Sequence, residues 1–143
     1  MSERIRVNMK TTMKEAVTIY SALDKLSKLE SKYPFRLTYW VTKNIHALSP
    51  TIEAFQKERD LIYKDCTAPD ENGSIVKQID ENTYEFNVRP EKREEWVQRF
   101  NELDSFDVEF DPYLLDLDTL MESNPDFEIE PQLMTSLIPL IKF

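Results

Sequence analysis

The sequence predicts an α+β fold: a long antiparallel helical hairpin followed by a small sheet with short helices. Three observations carry this. Apolar residues recur at three- and four-residue spacing through most of residues 12–66, the signature of amphipathic helices. Beyond residue 74, short runs alternate apolar and polar with period two, as half-buried strands do. No Gly/Ser-rich linker and no repeat separates the two stretches, so 1–143 reads as a single domain with a helical-hairpin subregion (1–66) and an acidic α+β subregion (67–143).

The elements follow in order. Ile5, Val7 and Met9 alternate with Arg4, Arg6, Asn8 and Lys10, which predicts a short strand. Thr12 and Glu15 have the spacing of a capping box. Helix one then runs to about Glu30, with Ala16, Ile19, Tyr20, Leu23, Leu26 and Leu29 on one face. Pro34 suits a helix start, where its missing N–H costs nothing. The second stripe is Leu37, Val41, Ile45, Leu48, Ile52, Phe55, Ile62 and Cys66. It keeps phase across Pro50, which favours one kinked helix over a new helix capped by Ser49. Thr67 to Ser74, with Pro69 and Asn72-Gly73, is a loop. Ile75 to Val88 reads as a β-hairpin reversing at Asp80-Glu81-Asn82.

Pro90 opens a third helix, Glu91 to about Leu103, with Trp96, Val97, Phe100 and Leu103 as its buried stripe. Phe106, Val108 and Phe110 form a half-buried strand, closed by Asp111-Pro112. Tyr113 to Met121 reads as a short strand or turn followed by a helical turn, and Asn124-Pro125 breaks it. Phe127 and Ile129 fit a last extended piece. Pro131 then starts a short helix, Gln132 to Ile141, which Pro139 strains or ends.

Composition excludes several function classes. The chain has 143 residues, 41% hydrophobic and 31% charged, a globular rather than disordered balance. One cysteine, Cys66, forbids an internal disulfide, and one glycine, Gly73, rules out glycine-rich phosphate loops and dinucleotide fingerprints. One cysteine with one histidine, His46, cannot build a zinc site of Cys and His alone. No apolar run is long enough to span a membrane, and the charged opening MSERIRVNMK does not read as a signal peptide.

Charge is unevenly placed. Net charge is −9; residues 1–66 hold 12 Lys+Arg and 8 Asp+Glu, residues 67–143 hold 6 and 19. Between Asn101 and Glu130 there are 11 acidic residues and no basic one. This stretch is either a solvated surface or a face for a basic partner, and the balance disfavours direct nucleic-acid binding. The asymmetry also fits a homo-oligomer, with the basic hairpin of one copy on the acidic segment of the next.

Catalysis finds no support. His46 and Cys66 on one helix are about 30 Å apart by helical rise, beyond the reach a base needs. The paired carboxylates Asp107/Glu109 and Asp116/Asp118 alternate with apolar residues, so they read as the wet face of a strand, with weak Ca²⁺ or Mg²⁺ binding as the other reading; the EF-hand glycine is absent. No catalytic residue, metal or cofactor is expected. Tyr33, Phe35, Tyr39 and Trp40 cluster near Arg36 and Lys43. Most read as core, but Tyr39 lies off the buried stripe and is a candidate contact anchor. The apolar ending LMTSLIPLIKF exceeds one stripe of a short helix and either docks internally or meets another chain. The expected partner-binding residues are Asp104, Asp107, Glu109, Asp111, Asp116 and Asp118, with Leu137, Ile141 and Phe143 at the apolar end.

Four stretches carry a resemblance: EAVTIYSALDKLSKL; FRLTYWVTKNIHAL running into IEAFQKERDLIYKDC; DENGSIVKQIDENTYEF; and FDVEFDPYLLDLDTLMESNPDFEIEPQLMTSLIPLI. In these the chain resembles a family of small uncharacterised bacteriophage proteins, over nearly its whole length, departing from the pattern at Ser49-Pro50. The resemblance implies a viral origin, a host-cytoplasm or virion setting, and a binding role rather than an enzyme. With the absent chemistry, the charge asymmetry and the apolar end, the expectation is a non-enzymatic interaction protein acting in virion assembly or as a minor virion component. The family has no assigned activity, so it transfers no functional residue. The alternative is an acidic inhibitor of a host nucleic-acid-processing or defence protein.

Overall fold

The computed structural model describes residues 8–28 and 33–142, and its fold is α+β. The chain divides into two compact units, Met1–Ile52 with Asp107–Phe143, and Glu53–Phe106. The boundary falls inside the second helix rather than at the end of the helical stretch.

In the first unit, strand β1 (Met9–Thr12) leads into helix α1 (Met13–Lys28). The Thr12 hydroxyl accepts from the Glu15 N–H at 3.3 Å, the capping bond that the spacing predicts. The Glu15 carboxylate turns instead to the Thr11 hydroxyl. Met13, Ala16, Ile19, Ala22, Leu23 and Leu26 are buried along one face; Ile5, Val7 and Leu29 of the predicted stripes lie outside the described residues. Strand β1 pairs antiparallel with β4 (Asp107–Phe110), with Met9 opposite Phe110 and Thr12 opposite Asp107. Val108 and Phe110 point inward while Asp107 and Glu109 stay wet, as the period of two requires. Phe106, expected on the inner face, precedes the strand and is 62% exposed, because helix three ends only at Ser105.

Helix α2 (Phe35–Cys66) is continuous with Pro50 inside it, so the single helix holds over a new start at Ser49. Pro34 supplies its first acceptor, taking the Leu37 and Thr38 N–H groups at 3.0 and 3.2 Å. Proline at 50 cannot donate to the turn above; next to it the Ser49 hydroxyl donates to the Ile45 carbonyl at 2.7 Å. In the first unit α2 buries Leu37, Trp40, Val41, Asn44, Leu48 and Ile52.

The C-terminal part of this unit turns back on α1. Strand β5 (Leu115–Asp116) runs straight into α4 (Leu117–Ser123). The predicted extended piece at Phe127 and Ile129 forms no strand. Helix α5 (Pro131–Leu137) is followed by a 3-10 turn, Ile138–Leu140, and strand β6 (Ile141–Lys142). The expected helix to Ile141 therefore ends early: Pro139 withholds a backbone donor, and Ile141 leaves the helix to pair in parallel with Leu115. Helix α5 packs on α1, and Leu133, Leu137, Leu140 and Ile141 are buried. The apolar ending thus docks internally.

In the second unit, the rest of α2 meets the hairpin β2 (Val76–Asp80) and β3 (Thr83–Phe86), a 3-10 turn at Pro90–Lys92, and α3 (Arg93–Ser105). The hairpin reverses where predicted, with Asp80 opposite Thr83 and its carboxylate taking the Asn82 N–H at 3.0 Å. The preceding loop is tied by Asp70, whose carboxylate accepts from the Asn72 and Ser74 N–H groups at 2.8 and 2.9 Å. Gly73 sits there at φ +79°, which side-chain-bearing residues adopt only under strain. The packing is aromatic: Trp96 meets Phe100 edge-on at 4.6 Å, and Tyr63 stacks on Phe86 at 5.0 Å. Arg99 joins α3 to α2 through Asp65 at 2.8 Å and Glu58 at 3.3 Å. Val97, expected in the buried stripe of α3, is 56% exposed; the stripe follows Trp96, Phe100 and Leu103, which leaves residue 97 on the neighbouring, wet side.

Candidate protein-contact site

The expected contact residues do not form one face. Asp107, Glu109, Asp111 and Asp118 are exposed. Glu109 faces Lys10 at 3.7 Å and accepts from the Asn8 side chain at 3.3 Å. Asp104 is half-buried at the end of α3, in the other unit. Asp116 is a helix cap rather than a free carboxylate: it accepts from the Thr119 N–H at 3.1 Å. That bond, then the Thr119 side chain, with Lys142 and Arg36 nearby, holds its carboxyl below the usual range.

Leu137 and Ile141 are core residues, 0% and 6% exposed. They cannot meet a partner while this packing stands, because the ending needs its apolar side chains against α1. Phe143 lies outside the described residues.

Folding also redistributes charge. Counted on the sequence, residues 1–52 with 107–143 carry 10 Lys+Arg and 13 Asp+Glu, a net of −3; residues 53–106 carry 8 and 14, a net of −6. Residues 1–52 of the basic half and residues 107–130 of the most acidic segment share one unit, so the asymmetry along the chain is largely compensated within it.

The Cys66 thiol is buried and donates to the Glu95 carboxylate at 3.3 Å. Burial, then Glu95, pushes its pKa up, which keeps it protonated and a poor nucleophile. His46 is exposed. Among the described residues, no three His, Cys, Asp or Glu side chains converge as a metal site.

The clearest surface feature is a ledge of rings at the start of α2. Phe35 is 80% exposed and Tyr39 38%. Their rings lie 6.0 Å apart, and Tyr113 meets Tyr39 edge-on at 5.3 Å. A groove of about 380 Å³ runs between Phe35, Arg36, Tyr39, Tyr113, Leu115 and Asp116. Lys43 stands over the Tyr39 ring, 5.5 Å from its centre. Spacings of four (35, 39, 43) put these on one side of the helix, opposite the buried Leu37 and Leu48.

The ledge has a rigid floor. Asn44 is fully buried; its amide donates to the Tyr113 carbonyl at 2.8 Å and the Trp40 carbonyl at 3.0 Å, and its oxygen accepts from the Tyr113 N–H at 3.0 Å. Trp40 donates its indole N–H to the Leu140 carbonyl at 3.2 Å. Helix, connecting segment and C-terminal turn are thereby pinned in one arrangement.

Tyr39 is the off-stripe aromatic that the sequence singles out. Tyr113 and Asn44 escape that reading. Their only signal is a polar residue inside an apolar stripe, whose partner is 69 positions away. Compared with models of protein families, with curated proteins and with solved structures, the chain has no match. The resemblance to bacteriophage proteins rests on the sequence stretches alone.

Proposed function

We propose that the chain is a non-enzymatic bacteriophage protein that works through protein–protein contacts, in virion assembly or as a minor virion component, in the host cytoplasm or the particle. One observation carries the contact reading: Phe35 leaves 80% of its surface in water, beside two tyrosines and a groove whose backbone is fixed by a buried amide. Exposed aromatic residues flanked by Arg and set on rigid backbone are what contact hot spots are made of. The viral setting rests on the sequence resemblance.

A tagged pull-down from infected cells, with quantitative mass spectrometry, tests both parts, run with the wild type and the Phe35→Ala/Tyr39→Ala variant. The expected result is recovery of viral structural proteins in fixed ratio by the wild type and their loss with the variant. Recovery of one host protein without viral structural proteins supports the inhibitor reading instead. Identical recovery by both chains overturns the ledge as the contact face.

A further inference from the structure

The ledge is a cationic island on an acidic protein. From Phe35 to Ile52, α2 contains Arg36 and Lys43 and no Asp or Glu. Arg36 lines the groove and Lys43 stands over Tyr39. Lys142 joins them through the β5–β6 pairing, opposite Asp116. Asp116 is the carboxylate of the groove, and its oxygen is already engaged by the Thr119 N–H. Arg36 and Lys43 thus flank the three rings, and Lys142 and Arg36 stand against the one carboxylate of the groove lining, which leaves a local excess of positive charge within a chain of net charge −9.

We infer, building on the protein-contact reading above, that the ledge receives a short acidic segment of the partner protein. An apolar side chain of that segment enters the groove between Phe35 and Tyr113, and its carboxylates meet Arg36 and Lys43. The size follows from the helix. Residues 35 to 43 span about 12 Å at 1.5 Å per residue, which is about four residues of extended chain. The charge pattern selects the sign of the partner, since a basic segment would bring like charges onto Arg36 and Lys43. A nucleic acid fits less well: phosphate recognition along a backbone draws on a run of cations, and the ledge offers Arg36 and Lys43.

The test is a titration of the full chain with a labelled peptide of alternating Glu and Leu that carries one Phe, and with its Lys-for-Glu counterpart, read by fluorescence anisotropy. The acidic peptide is expected to bind at least about tenfold more tightly than the basic one. The Arg36→Glu/Lys43→Glu variant, changed only at exposed positions, is expected to weaken it at least about tenfold, and raising the salt from about 50 to 500 mM to weaken it further. Equal binding of the two peptides, no binding of either at millimolar concentration, or preference for a single-stranded oligonucleotide overturns the inference. If Phe35- and Tyr39-dependent capture of a protein persists while the peptides show no preference, the acidic-segment inference falls and the contact reading stands. If both fail, both fall.

Discussion

Replacing Asn44 with leucine tests the support beneath the ledge. The side chain is fully buried and makes three hydrogen bonds, two of them to the backbone of Tyr113. Leucine fills a similar volume but offers neither donor nor acceptor. The Tyr113 N–H and carbonyl then lose the partner that Asn44 provides. Each such loss costs about 1–3 kcal/mol when the group is buried. Tyr113 is half-buried, so the lower part of that range applies. Burying the leucine returns about 1–2 kcal/mol. The net expectation is a loss of about 1 kcal/mol, or a fall of about 0.5 M in the urea midpoint for a slope near 2 kcal/mol per M. The slope itself should not change. Asn44→Asp adds a sign. Its carboxylate would face the Trp40 and Tyr113 carbonyls, so the folded state favours the protonated form and raises its pKa above the unfolded value of about 3.9. That variant is therefore expected to be less stable at pH 7 than at pH 4 relative to wild type. A loss below about 0.5 kcal/mol for the leucine variant would refute the clamp.

The remaining predictions concern both units. Arg99 bonds Asp65 and Glu58, and its hydrogen bond holds the Asp65 carboxyl below the usual range. A depressed carboxyl contributes stability above its unfolded pKa of about 3.9 that is lost as pH falls through the folded value. Urea midpoints of wild type and Arg99→Met should thus differ at pH 7 and converge below about pH 4; a pH-independent gap would contradict this. Trp40→Phe removes the bond to Leu140 and buried ring volume. It is expected to cost about 2–3 kcal/mol by urea titration and to remove the blue component of the tryptophan emission, leaving the half-buried Trp96; an unshifted spectrum would place the emission elsewhere. Pro50→Ala should raise the thermal midpoint, worth about 1–3 kcal/mol, because alanine donates to the turn above and suits a helix interior. A lowered midpoint would mean that α2 depends on the proline ring.

What was legible in the sequence is local. Thr12 and Glu15 mark the start of α1 because a cap needs only residues within one turn. Val108 and Phe110 declare their strand because alternation is visible in four residues. The phase kept across Pro50 shows that α2 continues. Signals of equal local quality fail where a distant element decides. Val97 is as apolar as a core residue, but nothing packs over its side of α3 enough to bury it. Ile141 looks helical until Leu115, 26 positions earlier, offers a strand to pair with. The charge asymmetry along the chain is plain, yet it says nothing of the fold that brings the acidic segment back to the basic half. For the site, Tyr39 could be named from its phase on the helix, whereas Tyr113 and the Asn44 clamp depend on a contact across 69 residues.

The ring ledge at the start of α2 is proposed above as the contact face of this protein. The direct measurement is site-specific photo-crosslinking in infected cells, with the reactive group at Phe35 and, as a control, at the exposed Ser21 of α1. One defined protein adduct is expected from position 35, abolished by Tyr39→Ala, and none from position 21. An adduct from position 21 with none from 35, or none from either, would contradict it.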